Sequence, residues 1–262
     1  MLRGARPLLL PLLLHTAFAL AMWSTGSLHG TWTFECGTGA AAWDLAHGRN
    51  PAFAWSDYYD SWTSGYLLWA GLEAPLMRLP WAPIFAVKAV SLATTWAVGL
   101  LGWLFLREVT GRRAALLGAT GLILAPPLLW YFALHGGNYH YTELVPCLAL
   151  FWRLAHWVKS PSWGARGAIE LGLLAGLAVA TSLGSLLPVA LAMGTFVRLR
   201  PRRMLRGPTW WSLPAIAAGA SPLLVKALRD PFGLPAAAQE FDVPYFSGAL
   251  RPPLGPKLLS LP

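Results

Sequence analysis

The chain has little charge, few acidic residues and almost no cysteine. Of its 262 residues, 12% are charged and only 11 are aspartate or glutamate, while 56% are hydrophobic. An average soluble domain carries about 25% charged residues, and a disordered chain is poor in hydrophobic ones. The composition therefore excludes a disordered chain and argues against an ordinary soluble enzyme. It predicts that the lipid bilayer is the solvent.

The two cysteines, Cys36 and Cys147, lie far apart and in different contexts. The sequence contains no CxxC pair and no His/Cys spacing typical of a zinc site. It therefore predicts neither a disulfide framework nor a structural metal site.

The net charge of +9 raises the question of a nucleic-acid partner. A nucleic-acid-binding protein gathers its basic residues on one soluble face. Here the basic residues lie between apolar runs instead. We therefore expect no nucleic-acid partner and attribute the charge to membrane topology.

The apolar runs predict an all-α fold, an integral membrane helix bundle with about seven spans. A helix needs about 20 apolar residues to cross the hydrocarbon core, or somewhat fewer where the bilayer thins. The seven candidate spans are residues 7–27, 83–106, 114–134, 143–158, 167–182, 184–198 and 209–227.

The charged residues predict the orientation of these spans. With the N-terminus in the cytoplasm, 13 of the 20 basic residues fall in short cytoplasmic segments, as the positive-inside rule requires. Of the 11 carboxylates, only Glu108 and Glu170 fall at cytoplasmic ends. The other acidic residues lie on or near the outer side, which leaves room for an acidic site there. The alternative for residues 1–25 is a cleaved signal peptide, with Arg3 and Arg6 as its basic region.

Residues 28–82 form a long first external loop, which we expect to contain short helices at the membrane interface. GTGAAAWDLAHG predicts an Ala-rich helix ended by Gly48. SGYLLWAGLEAPLMRLPW predicts a second short helix, broken or kinked by Pro75 and Pro80. The expected organisation is a membrane core over residues 1–227 and an external C-terminal segment over residues 228–262.

Several stretches, in order along the chain, resemble one protein family. They are ECGTGAAAWDLAHG after the first span, YHYTELVP before the fourth, AGLAVATSLGSLLPVALAM across the fifth and sixth, and GASPLLVKALRDPFG at the seventh. Together they resemble the GT-C polytopic glycosyltransferases, particularly the bacterial protein-mannosyltransferase-like and aminoarabinose-transferase-like members. The resemblance implies a multi-pass protein of the bacterial inner membrane whose site faces the exterior.

The sequence departs from the family pattern at several points. Phe34 occupies the family's first acidic position, Lys88 stands where an Arg is usual, and Ser182 replaces a Lys. The chain also stops at residue 262, where relatives usually continue with further spans. We therefore expect that the C-terminal part is truncated or that a partner subunit supplies it.

The resemblance implies the transfer of a sugar from a polyprenyl-phosphate donor to a glycan, lipid or protein acceptor, with inversion. Such a reaction needs one carboxylate to take the acceptor's proton and cationic groups to hold the phosphate. Glu35 is the candidate base. The alternative is that Glu35 only complements the exposed N–H groups at a helix start. Asp44 lies nine residues later, on a different side of the same predicted helix.

The remaining candidates are substrate-binding residues on the outer side. Asp60, in SDYYDS, could replace the missing acid if its loop folds over the cleft, or it could simply be solvated. Asn138, His140 and Glu143 could contact sugar hydroxyls. The last three could instead hold a divalent cation or form a plain polar turn, and no other cofactor is implied. Lys88, Lys226 and Arg229 are the cations at the right depth for the phosphate, although a basic residue at a span end often only reaches the lipid headgroups.

The alternative function is a non-catalytic member of the same fold. Such a protein would bind the polyprenyl-phosphate lipid as an accessory subunit without transferring sugar. A transporter is a poorer fit, because transporters carry ionisable residues at the bilayer midplane, whereas here they cluster at the ends of the predicted spans.

Overall fold

The computed structural model describes residues 6–24, 33–48, 66–80, 83–124, 134, 142–204 and 207–229. Within these ranges the regular structure is helical, which confirms the all-α prediction. The α-helices are α1 Leu9–Ser24, α2 Thr33–Ala46, α3 Tyr66–Met77, α4 Pro83–Val109, α5 Arg112–Ile123, α6 Leu144–Lys159, α7 Ala165–Thr181, α8 Leu186–Leu199, α9 Pro201–Met204, α10 Ser212–Gly219 and α11 Ser221–Arg229. Short 3-10 turns at Arg6–Leu8, Leu183–Ser185 and Gly207–Trp211 precede α1, α8 and α10.

Each of the seven predicted spans contains a helix, but these helices differ in length. In the described part of the chain, two helical segments are long and apolar enough to cross a membrane, Arg6–Ser24 with 19 residues and Pro83–Val109 with 27. The apolar helix α8 is shorter. The seven-span topology stays a prediction.

The predicted seventh span consists of two helices, α10 and α11, that meet at Ala220. The Ala220 N–H donates to the Ile216 carbonyl at 2.8 Å, and the Leu224 N–H donates to the Ala220 carbonyl at 3.0 Å. The interruption has a local cause in Pro222, which has no N–H and whose ring crowds the carbonyl four residues earlier.

Helix α4 is the centre of the first half of the bundle, where it packs against α1 and α5. Trp96 donates from Nε1 to Thr16 Oγ1 at 3.1 Å, so α1 and α4 run side by side in opposite directions. One buried cluster joins all three helices and contains Leu12 of α1, Trp103 of α4 and Ile123 of α5. This packing fixes the outer end of α4 near the C-terminal end of α1.

The second half of the bundle is built from α6, α7 and α8. Leu150 of α6, Leu171 of α7 and Phe196 of α8 are fully buried in a common cluster. The adjoining ends of these helices carry the basic residues Lys159, Arg166 and Arg198. We call this the basic end, and we call the opposite one the outer end after the orientation that the sequence predicts.

Side chains at the basic end tie the helices together. Glu170 of α7 accepts from Arg153 Nη2 at 2.8 Å and from Trp157 Nε1 at 2.9 Å, both on α6. Glu170 Oε1 also lies 2.5 Å from Arg153 Nε, so the arginine and the carboxylate contact each other at two points. A paired, hydrogen-bonded charge is the form in which an ionisable group is tolerated inside a bundle.

The closest helix contact joins α7 and α10 through small residues. A β-carbon on Gly176 would lie 2.1 Å from the Ile216 carbonyl oxygen and 2.8 Å from the Ala220 nitrogen. A β-carbon on Gly219 would lie 2.3 Å from the Leu173 carbonyl oxygen. Since apolar helices in lipid gain little from hydrophobic burial, such small-residue contacts are a main source of their association.

The stretch between α1 and α4 contains the two short helices that the sequence predicts. Helix α2 ends at Ala46, and Gly48 follows with a φ of 68°, the left-handed conformation that glycine adopts at helix ends. Helix α3 continues past Pro75 to Met77 and stops before Pro80. Arg78 Nε donates to the Ala46 carbonyl at 3.1 Å, so the C-terminal ends of α2 and α3 lie together.

Replacing Gly176 by alanine tests the α7–α10 contact. The added methyl would overlap backbone atoms that cannot rotate away. We expect a loss of roughly 1–3 kcal/mol of stability, as in other overpacked sites. The matched control is Gly194→Ala in α8, where nothing lies within 4 Å of the added carbon. Thermal unfolding in detergent should show a lower Tm for Gly176→Ala alone, and equal values would contradict the close contact.

Candidate functional site

Lys88 is buried near the outer end of α4. Its residue is only 2% exposed although it lies in the second turn of the helix. Lys88 Nζ donates to the Leu134 carbonyl at 3.3 Å, and it stands 5.9 Å from the centroid of the Trp23 ring. The side chain therefore does not reach out to the headgroups, which was the alternative for a lysine at a span end. A charged group kept inside the bundle is costly, which makes Lys88 a candidate functional residue.

Helix α2 packs against α4 beside this lysine. A β-carbon on Gly39 would lie 3.4 Å from Val87 Cγ2, and Val87 is the residue before Lys88. Ala42, Ala74 and Val87 share one buried cluster, so α2, α3 and the start of α4 form one packed unit. We call this unit the outer cap.

Glu35 lies in the first turn of α2, which begins at Thr33. It precedes Gly39 by four residues, so its backbone stands about 6 Å further along the helix axis. Helix α2 contacts the end of α3 at Ala46, which lies beside Arg78. It contacts α4 at Gly39, which lies beside Val87. The backbone of Glu35 therefore stands about one helical turn beyond the α2 position that contacts Val87. The side chain of Glu35 lies outside the described residues.

The outer cap contains a second buried charge, Glu73 on α3. Glu73 is 0% exposed, and Trp69, one helical turn earlier, is 4% exposed. The sequence analysis placed Glu73 in an interfacial helix and did not single it out. The signal that could have found it is a carboxylate inside a short, otherwise apolar helix, YLLWAGLEAPLM.

A second polar group lies at the outer end of α6, α7 and α8. Glu143 directly precedes α6, and its Oε2 atom stands 3.3 Å from where a β-carbon on Gly184 would lie. Below it, the Cys147 thiol donates to Ser185 Oγ at 3.6 Å. Glu143 Oε2 is buried and accepts no hydrogen bond from the described part of the chain. We call Glu143 with residues 182–185 the outer turn.

The outer turn and Lys88 are separate places. Leu144, next to Glu143, packs against Val98 of α4, and Val98 lies ten residues after Lys88. Ten helical residues correspond to about 15 Å along the axis. The sequence analysis assigned Lys88 to the phosphate and Glu143 to sugar hydroxyls or a cation, and these assignments stay predictions; the fold places the two residues at different depths of α4.

The remaining predicted site residues lie near the end of the last described range or outside the described ranges. Lys226 and Arg229 belong to the last turns of α11, beyond the point where α10 meets α7, and their side chains are not described. Asp60, Asn138 and His140 lie outside the described residues. In the ranges that the structure covers, no group of three His, Cys, Asp or Glu residues is arranged to hold a metal ion.

The chain was compared with known proteins once this geometry was established. No protein-family model matches it, no curated protein matches its sequence, and no solved structure matches its fold. The resemblance to the GT-C glycosyltransferases therefore rests on the sequence motifs themselves.

The rate at which the buried Cys147 thiol is labelled tests the packing of the outer turn. Cys147 is free and 5% exposed. In a Cys36→Ser protein we therefore expect a maleimide to modify it slowly in the folded state and fully after denaturation. The control places a cysteine at exposed Thr110, in the turn after α4, by Thr110→Cys in a chain lacking both native cysteines. Equal labelling rates at positions 110 and 147 would contradict the packing.

Proposed function

We propose that the protein is a multi-pass membrane glycosyltransferase. It moves a sugar from a polyprenyl-phosphate donor to an acceptor on the outer side of the bacterial inner membrane. The observation that carries the proposal is that Lys88 is buried next to Val87, which contacts α2, the helix whose first turn contains Glu35. A cation for the donor phosphate and a carboxylate for the acceptor proton are the two groups that the reaction requires.

The surface of the helices supports a position in the membrane. Leu10, Leu117, Leu187 and Leu228 are 66–85% exposed, and they lie on four different helices. Exposing this much apolar surface to water is unfavourable, and patches of this kind mark contact with lipid or another protein. Together with the basic end, they support a bundle that crosses the bilayer with its outer cap outside.

The proposed chemical step needs only these two groups. The acceptor oxygen attacks the anomeric carbon from the face opposite the phosphate, and the bond between that carbon and the phosphate oxygen breaks. The bonding electrons leave with the polyprenyl phosphate, whose charge Lys88 stabilises. Glu35 takes the proton from the acceptor hydroxyl. The attack from the opposite face inverts the configuration at the anomeric carbon.

The outer turn has a different role in this proposal. A buried carboxylate oxygen without a hydrogen-bond donor is normally satisfied by water or a ligand. Glu143 Oε2 is such an atom within the described residues. We assign it to a hydroxyl of the acceptor rather than to the phosphate or the sugar bonded to it, because Lys88 lies about 15 Å away along α4.

A second candidate function follows from Phe34. It occupies the position of the acidic residue that the resembled family uses first. A chain that kept the fold but lost this residue would bind the lipid-linked donor without transferring its sugar. The two functions share Lys88 and differ in whether Glu35 is needed.

Removing the charge of Glu35 distinguishes the two functions. We expect Glu35→Gln to lower the release of polyprenyl phosphate from a labelled donor at least a hundredfold, since general base catalysis contributes about 10²–10⁴-fold. Asp44→Asn, in the last part of the same helix, serves as the control and should keep the rate. An unchanged rate in Glu35→Gln would refute its role as the base, and no release by the unmodified protein would favour the accessory function.

Replacing Lys88 tests the phosphate site separately. A hydrogen bond to a charged group contributes about 1.5–3 kcal/mol, so we expect Lys88→Met to weaken donor binding roughly tenfold or more. Lys88→Arg keeps the charge and should retain most of the affinity. The measurement is the Kd of the donor lipid in nanodiscs. If methionine and arginine at position 88 weaken binding equally, the loss reflects packing rather than phosphate recognition.

A further inference from the structure

An apolar groove runs between α4, α6 and α8 at the basic end of the bundle. It has a volume of about 470 Å³, and its walls include Phe105, Phe151, Pro188 and Leu199. On α8 the lining extends from Pro188 to Leu199, eleven residues or about 16 Å of helix. Measured from the basic end, this length reaches the middle of a hydrocarbon core about 30 Å thick. The groove therefore has the length of one lipid leaflet.

Along its length, the lining of the groove has no polar group that needs a hydrogen bond from a ligand. Apart from Lys159, Thr195 is the one polar residue lining it, and Thr195 Oγ1 already donates to the Leu191 carbonyl at 2.7 Å. A polar ligand or an irregular peptide would leave its own polar groups unsatisfied here. A hydrocarbon chain has none, so it fits the groove.

Cations stand where the groove ends. Lys159 lines the groove itself, with its side chain 59% exposed. Its Nζ donates to the Glu108 carbonyl and lies 3.8 Å from Glu108 Oε2, so part of its charge is already balanced. Arg200 follows the last residue of α8, and its Nε donates to the Val158 carbonyl at 2.9 Å. This bond holds the guanidinium at the groove and leaves the donors on its two terminal nitrogens for a ligand.

We propose that this groove binds an anionic glycerophospholipid of the cytoplasmic leaflet. One acyl chain lies along α8 between Phe105 and Phe151, and the phosphate group meets Lys159 and Arg200. Basic pockets between membrane helices on the cytoplasmic side are suited to such headgroups. The site lies at the end opposite the outer cap. It depends on membrane insertion and not on sugar transfer.

Native mass spectrometry of the full chain in detergent tests the proposal. The probes are phosphatidylglycerol and phosphatidylcholine with the same acyl chains. We expect the unmodified protein to retain phosphatidylglycerol at least about fivefold better, since each interfacial Lys or Arg contributes about that factor. Equal retention of the two lipids would overturn the proposal and needs no variant. Glu35→Gln should retain the lipid like the unmodified protein, which separates this result from the transferase assay.

Two pairs of variants locate the site. The double change Lys159→Gln and Arg200→Gln should abolish the preference, while Arg112→Gln with Arg113→Gln, two exposed cations at the same end, should preserve it. Thr195→Trp should fill the groove and displace the lipid, while Val197→Trp on the same helix, which does not line the groove, should not. Loss of the preference in the Arg112 and Arg113 double variant, or lipid retained by Thr195→Trp, would refute this location. A lipid-free dimer of the unmodified protein would show that a second copy covers the groove instead.

Discussion

The bundle depends on the contact between α7 and α10, where backbone approaches backbone. In water, burial of apolar side chains would hold such helices together, but in a bilayer the lipid tails are as apolar as leucine. What remains is close packing, and Gly176 and Gly219 allow it by carrying no side chain where the other helix passes. This contact sets the depth of α7, and α7 in turn fixes the outer turn after Thr181. The position of the outer turn therefore depends on the glycines at the contact between α7 and α10.

Because charged residues are scarce, the role of each ionisable group in the bundle can be recognised from its surroundings. At the basic end, Glu170 joins Arg153 and Trp157, and Lys159 meets Glu108, so these carboxylates hold helices together. In the outer cap, Lys88 is 2% exposed and Glu73 is 0% exposed. Burying an ionisable group is costly. This cost is the physical reason to seek chemistry at the outer cap.

Much of the fold could be predicted from the sequence, because helix length and helix ends follow local rules. The apolar runs predict the positions of α1 and α4, and Gly48 predicts the end of α2, since a left-handed residue there favours glycine. The site was less predictable. The burial of Lys88 depends on Trp23 and Leu134, which come from distant parts of the chain. Glu73 went unrecognised because a short interfacial helix gave no indication that both α2 and α4 would cover it. The separation of Glu143 from Lys88 depends on the parallel register of α4 and α6, which no local motif encodes.

The same register explains why the two ends of the bundle differ in what they can bind. Helix α4 has 27 residues, whereas α6 has 16 and α8 has 14, so the three cannot end together on both sides. They are aligned at the basic end, where Phe105 meets Phe151 with ring centroids 5.8 Å apart and Lys159 meets Glu108. The extra length of α4 therefore projects entirely at the outer end, by about 15 Å. At that end α4 extends beyond α6 and α8, and helices α1, α2 and α3 cover it instead. A cap of short helices packed around a projecting helix buries surface that a bundle of equal helices would leave exposed, and Lys88, at 2% exposure, lies in that buried part of α4.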